Sequence, residues 1–76
     1  MRNTQEIRLL ILKLLKDQGS NTSKMLTELD YNQSLLHDMG KHNRMPAADK
    51  IARIAEYLHV SVDYLMGLTE NPEVNK

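Results

Sequence analysis

NTSKMLTELDYNQSLLHDM, residues 21–39, carries two short helical patterns with a break between them. Asn21 stands where a helix needs an N-cap, since its side-chain oxygen can accept from the free N–H groups of a first turn. Met25, Leu26 and Leu29 then fall on one face at helical spacing. The pattern stops at Asp30-Tyr31-Asn32. Aspartate is among the few non-glycine residues that tolerate a left-handed backbone, so Asp30 is expected to turn the corner. Tyr31 is expected to plug the angle between the helices, and Asn32 to cap the second one. That second helix, over residues 33–39, turns Leu35, Leu36 and Met39 inward and leaves Gln33, Ser34, His37 and Asp38 on its other faces. Two helices joined by so short a corner predict a helix-turn-helix over about residues 21–40.

On the N-terminal side, Asn3 or Thr4 can cap a first helix, with Glu6 suited to its first turn. Ile7, Leu10, Ile11, Leu14 and Leu15 form a stripe for burial, and Gly19 is placed to end the helix. Leu9 and Leu12 fall off that stripe. They are expected either to be covered by the C-terminal segment or to form a subunit interface. On the other side, residues 40–46 read as a polar, basic connector ending at Pro46, where a new helix can begin. Ile51, Ile54, Ala55 and Leu58 give that helix its apolar stripe, and His59-Val60 makes the next corner. Ser61 caps a last short helix whose Val62, Leu65 and Met66 are expected inside, with Gly67 as its stop. The expectation is an all-α domain of five helices over residues 1–68 and a polar, fraying tail over 69–76.

With 76 residues the chain is one domain with a thin core. It has no cysteine, which excludes disulfides and thiolate metal sites. The apolar run near the N-terminus is too short and too interrupted by charge for a membrane span, and no small-residue cleavage site follows it, so a soluble, cytoplasmic protein is expected. Ten Lys and Arg balance ten Asp and Glu, and neutrality weighs against a nucleic-acid partner. Locally the balance tilts, with four Lys or Arg against two Asp between Gln33 and Arg53. His37 and His42 lie five apart, whereas helical metal pairs need three or four, so no metal is expected. No nucleophile stands beside a base, no glycine-rich phosphate loop occurs, and neither catalysis nor a cofactor is expected.

The stretch IARIAEYLHVSVDYLMG, residues 51–67, resembles the closing helices of the lambda-repressor-like DNA-binding domains, the Xre-type regulators of bacteria and their phages. The resemblance extends back through Pro46 to the central helix pair and covers almost the whole chain. The sequence departs from the family's usual pattern at four places. Leu26 stands for an alanine, Asp30 and His59 for corner glycines, and Met39-Gly40 for an aromatic-acidic pair.

The resemblance implies a compact five-helix domain and a transcriptional regulator, of repressor type, that reads the major groove of an operator with helix 33–39. Gln33, Ser34, Leu35, His37 and Asp38 would face base edges. A glutamine amide can pair with both groups that adenine presents in the major groove, and Leu35 could meet a thymine methyl. Lys24, Asn32, Lys41, His42 and Arg44 would hold phosphates. A homodimer would read two half-sites, with Tyr64, Leu65 and Leu68 or else Leu9 and Leu12 as its interface. The competing expectation is a protein-interaction module of the same fold that has lost DNA binding.

Overall fold

Most helices in this chain start on a side-chain acceptor and stop on a left-handed residue. The computed structural model describes residues 1–72, with no strand among them and five helices. These are α1 (Thr4–Asp17), α2 (Thr22–Glu28), α3 (Leu35–His42), α4 (Ala48–Tyr57) and α5 (Val62–Met66). Asn3 rather than Thr4 caps α1, in a reciprocal pair: Glu6 N donates to Asn3 Oδ1 at 2.9 Å and Asn3 N donates to Glu6 Oε1 at 3.1 Å. Asn21 Oδ1 accepts from Lys24 N at 2.8 Å, and Ser61 Oγ accepts from Tyr64 N at 3.0 Å. The residue caps expected for α2 and α5 are therefore the ones used. Helix α4 opens after Pro46 on Ala47, with no side-chain cap bond.

Four helices close with the same pair of backbone bonds. The left-handed residue's amide reaches three residues back and the next amide reaches five, a Schellman closure. At α1 these are Gly19 N to Lys16 O (3.1 Å) and Ser20 N to Leu15 O (2.8 Å). At α2 they are Asp30 N to Thr27 O (3.1 Å) and Tyr31 N to Leu26 O (2.8 Å). Helices α4 and α5 close likewise around His59 and Gly67. Asp30 and His59 hold φ values of 59° and 60°, so both do the work of glycine at their corners.

Helix α3 differs from expectation at both ends. It starts at Leu35 rather than Gln33, because Asn32 uses its side chain earlier. Asn32 Oδ1 accepts from Ser34 N at 2.9 Å, while Leu35 N donates to Asn32 O at 3.1 Å, so the chain makes a tight turn before the helix proper. Asn32 therefore caps that turn and not α3. At the far end Gly40, Lys41 and His42 are helical, not part of the connector. Tertiary contacts with α1 explain this. Gln5 Nε2 donates to Met39 O at 2.7 Å and to Gly40 O and Asn43 Oδ1 at 3.3 Å, satisfying carbonyls that a helix end leaves free. The Arg8 guanidinium lies against Gly40, where a Cβ would stand 2.9 Å from its Nε. Asn43, left-handed at φ 50°, then ends the helix.

Ile7, Ile11 and Leu15 of α1, Met25 and Leu26 of α2, Leu36 and Met39 of α3, Ile51, Ile54 and Ala55 of α4, then Leu58, Val60 and Leu65, form one buried cluster. Helix α1 packs against α3 and α5, and α4 packs against α5. Exposure bears on two of the burial expectations. Leu9 is 57% exposed, so no described part of the C-terminal segment covers it, which leaves the interface alternative, while Leu12 is partly buried against the core. Val62, expected inside, is 40% exposed, because the first turn of α5 lies at the edge of the cluster. The tail does not simply leave the body: Pro72 O accepts from Ser61 N at 3.0 Å, and residues 73–76 lie outside the described part. Among the described residues no helix is long and apolar enough to cross a membrane.

Candidate functional site

The corner between α2 and α3 and the outer face of α3 hold most of the residues singled out in the sequence. Leu36 and Met39 anchor α3 in the core, and Leu35 is half-buried against it. At helical spacing this leaves Ser34, His37, Asp38 and Lys41 on the opposite side of the helix. His37 and Lys41 are exposed and Ser34 and Asp38 half-buried. Lys41 was expected in a loop, yet it stands one turn beyond His37 on this face. His42 closes the helix, and Arg44 is exposed in the connector that follows.

The polar groups before α3 are bonded to one another. Ser34 Oγ donates to Asn32 Oδ1 at 2.9 Å, with Asp38 Oδ2 a second acceptor at 3.3 Å. Gln33 is exposed but not loose, because its Nε2 donates to Thr27 Oγ1 at 3.0 Å and to Ser23 O at 3.3 Å. Both acceptors belong to α2, so the side chain of Gln33 ties the two helices together. Side-chain bonds of this kind hold a corner more firmly than the turn sequence alone can.

Tyr31, at the corner between α2 and α3, is half-buried against the core. It also does something the sequence did not disclose. Lys50 Nζ and the Arg53 guanidinium lie over its ring at 5.6 and 5.8 Å from the centroid. Two cations from α4 are thereby gathered beside the corner, each contact worth about 0.5–1 kcal/mol at an exposed site. Lys50 and Arg53 are three apart and so share a face of α4, a signal visible in the sequence. Their convergence on Tyr31 is tertiary and was not.

Lys24 is exposed but stands apart from the outer face of α3. It lines a cleft of about 520 Å³ with Ser20, Glu28, Arg53, Glu56 and Tyr57. Charges of opposite sign alternate there, which suits that cleft poorly to a phosphate track. The residues expected at a dimer interface differ in exposure. Leu65 is fully buried, so its side chain belongs to the monomer core. Tyr64 is half-buried, with the Arg2 guanidinium 5.4 Å from its ring centroid, and Leu68 is 63% exposed. Among the described residues no three His, Asp or Glu side chains stand close enough together to hold a metal ion.

No protein-family model, characterised protein or solved structure matches this chain.

Proposed function

We propose that this chain is a lambda-repressor-like DNA-binding domain in which α2, the corner at Asp30 and α3 act as a helix-turn-helix. It binds an operator in double-stranded DNA as a homodimer and regulates transcription by occupying it, as a repressor. The outer face of α3 carries this reading: His37, Asp38 and Lys41 stand on the helix side opposite the one anchored in the core, and Gln33 and Ser34 lie in the turn that leads into it. A helix so mounted can enter a major groove without exposing core residues. Lys41, His42 and Arg44 at the C-terminal end, with Lys50 at the Tyr31 corner, supply phosphate contacts that overall neutrality would otherwise leave scarce. Leu68 and Leu9, both exposed, are the remaining candidates for the dimer contact.

Those same exposed leucines favour the rival, a protein-interaction module of this fold. Selection of bound duplexes from a pool randomised over about two helical turns decides between them. The expected result is an enriched palindrome whose half-sites lie ~34–36 Å apart, lost when Gln33 and Ser34 are both alanine. Folded, helical protein that enriches no motif would refute DNA reading and leave the interaction module.

A further inference from the structure

The groups that precede α3 have spent their donors inside the protein. Ser23 O is a carbonyl and can only accept, so the Gln33 atom facing it is the amide nitrogen. That nitrogen carries two hydrogens, and Thr27 Oγ1 takes the second at 3.0 Å. Gln33 Oε1 accepts from no group among the described residues, and the residue is exposed. The Ser34 hydroxyl hydrogen is directed to Asn32 Oδ1 at 2.9 Å. The Asp38 carboxylate offers acceptors alone. The approach to α3 therefore faces outward with oxygen acceptors.

The geometry points to Thr27 as a positioning residue that makes Gln33 a one-armed acceptor and so sets base preference. This rests on the DNA reading proposed above. A free glutamine pairs with adenine through both arms, donating to N7 and accepting from N6–H. Gln33 held by Ser23 and Thr27 has only its oxygen to offer. In the major groove an amine donor is present on adenine (N6) and on cytosine (N4), whereas guanine shows two acceptors and thymine an acceptor and a methyl. The base facing Gln33 is thus adenine or cytosine, with guanine and thymine excluded. Removing the Thr27 hydroxyl frees one amide hydrogen for adenine N7 and converts a shared preference into one for adenine.

The test is selection from duplex DNA randomised over about two helical turns, run with the wild-type chain, Gln33→Ala, Thr27→Val and Thr27→Ser. The step whose preference disappears in Gln33→Ala marks the base opposite Gln33. There the wild type is expected to favour adenine and cytosine alike by about fivefold over guanine and thymine, the factor one net hydrogen bond is worth. Thr27→Val is expected to favour adenine over cytosine by about the same factor, and Thr27→Ser, which keeps the hydroxyl, to behave as wild type. Thr27 is exposed, so these variants leave the core untouched. Guanine or thymine at that step, or an unchanged preference in Thr27→Val, overturns the inference while DNA reading stands. Enrichment of no motif by any of the four folded proteins removes DNA reading and this inference with it.

Discussion

Replacing Gly19 with alanine and His59 with glycine moves one backbone penalty in opposite directions. Both residues occupy the left-handed position of a Schellman closure, at φ 70° and 60°. A Cβ built on Gly19 meets nothing within 4 Å, so alanine there brings no clash and the cost is conformational. An L-residue held left-handed costs about 1–2 kcal/mol. Alanine's smaller entropy in the unfolded chain offsets about 0.4–1 kcal/mol of this. Gly19→Ala should therefore destabilise by roughly 0.5–1 kcal/mol, and His59→Gly, whose imidazole is exposed, should stabilise by a similar amount. For a domain of this size each change corresponds to roughly 2–8 °C in Tm. Thermal unfolding followed by far-ultraviolet circular dichroism reads both, and the double variant should melt near the wild type because the sites are separate closures. Shifts of the same sign, or no shift from either change, would refute a shared left-handed penalty.

Three further predictions concern α3. Lys41→Glu with Arg44→Glu should weaken binding to all duplexes alike and flatten the plot of log affinity against log salt by about two units, near 0.9 for each lost phosphate contact; an unchanged slope would remove both from the phosphate contacts. Gln5→Ala strips the carbonyls of Met39 and Gly40 of a shared donor, which should cost about 1–2 kcal/mol and speed amide exchange in the last turn of α3; unchanged exchange there would show that Gln5 does not hold the turn. Gly40→Ala adds a Cβ whose three nearest neighbours are side-chain atoms of the flexible Arg8, so the gain in helix propensity, up to about 1 kcal/mol, should dominate and raise Tm; a fall would mean that Arg8 does not move aside.

Where a helix boundary depended on one residue's own chemistry, the sequence made it legible. Asn21 and Ser61 cap, Gly19 and Gly67 stop, and Asp30 and His59 turn corners because each carries the needed acceptor or tolerates the needed backbone. The apolar stripe of α4 was equally legible, since Ile51, Ile54, Ala55 and Leu58 are all buried. The start of α3 was not, because Asn32 has two ways to spend one oxygen and local pattern does not choose between them. Its end was not, because the donor that prolongs it is Gln5, on another helix. The candidate site shared that division. Spacing put Gln33, Ser34, His37 and Asp38 off the buried face and the family resemblance gave them their expected role, while Thr27's hold on Gln33 and the cations over Tyr31 arise only when helices meet.

The attachment of the N-terminus to α5 has a consequence for how the molecule opens. Arg2 N donates to Met66 O at 2.8 Å, Arg2 Nε donates to Tyr64 O at 3.3 Å, and the Arg2 backbone passes so near Gly67 that a Cβ there would stand 2.7 Å from its nitrogen. These bonds close a loop of nearly the entire described chain, whose closure entropy is on the order of 3–4 kcal/mol beyond a constant. That entropy returns only when the folded chain between the two ends unfolds, so releasing the clasp alone loses its bonds and frees little more than the first residues. The amide of Arg2 is expected to show a lower opening free energy than that of Leu65 in native-state hydrogen exchange, and one shared value would show that the clasp opens only with α5.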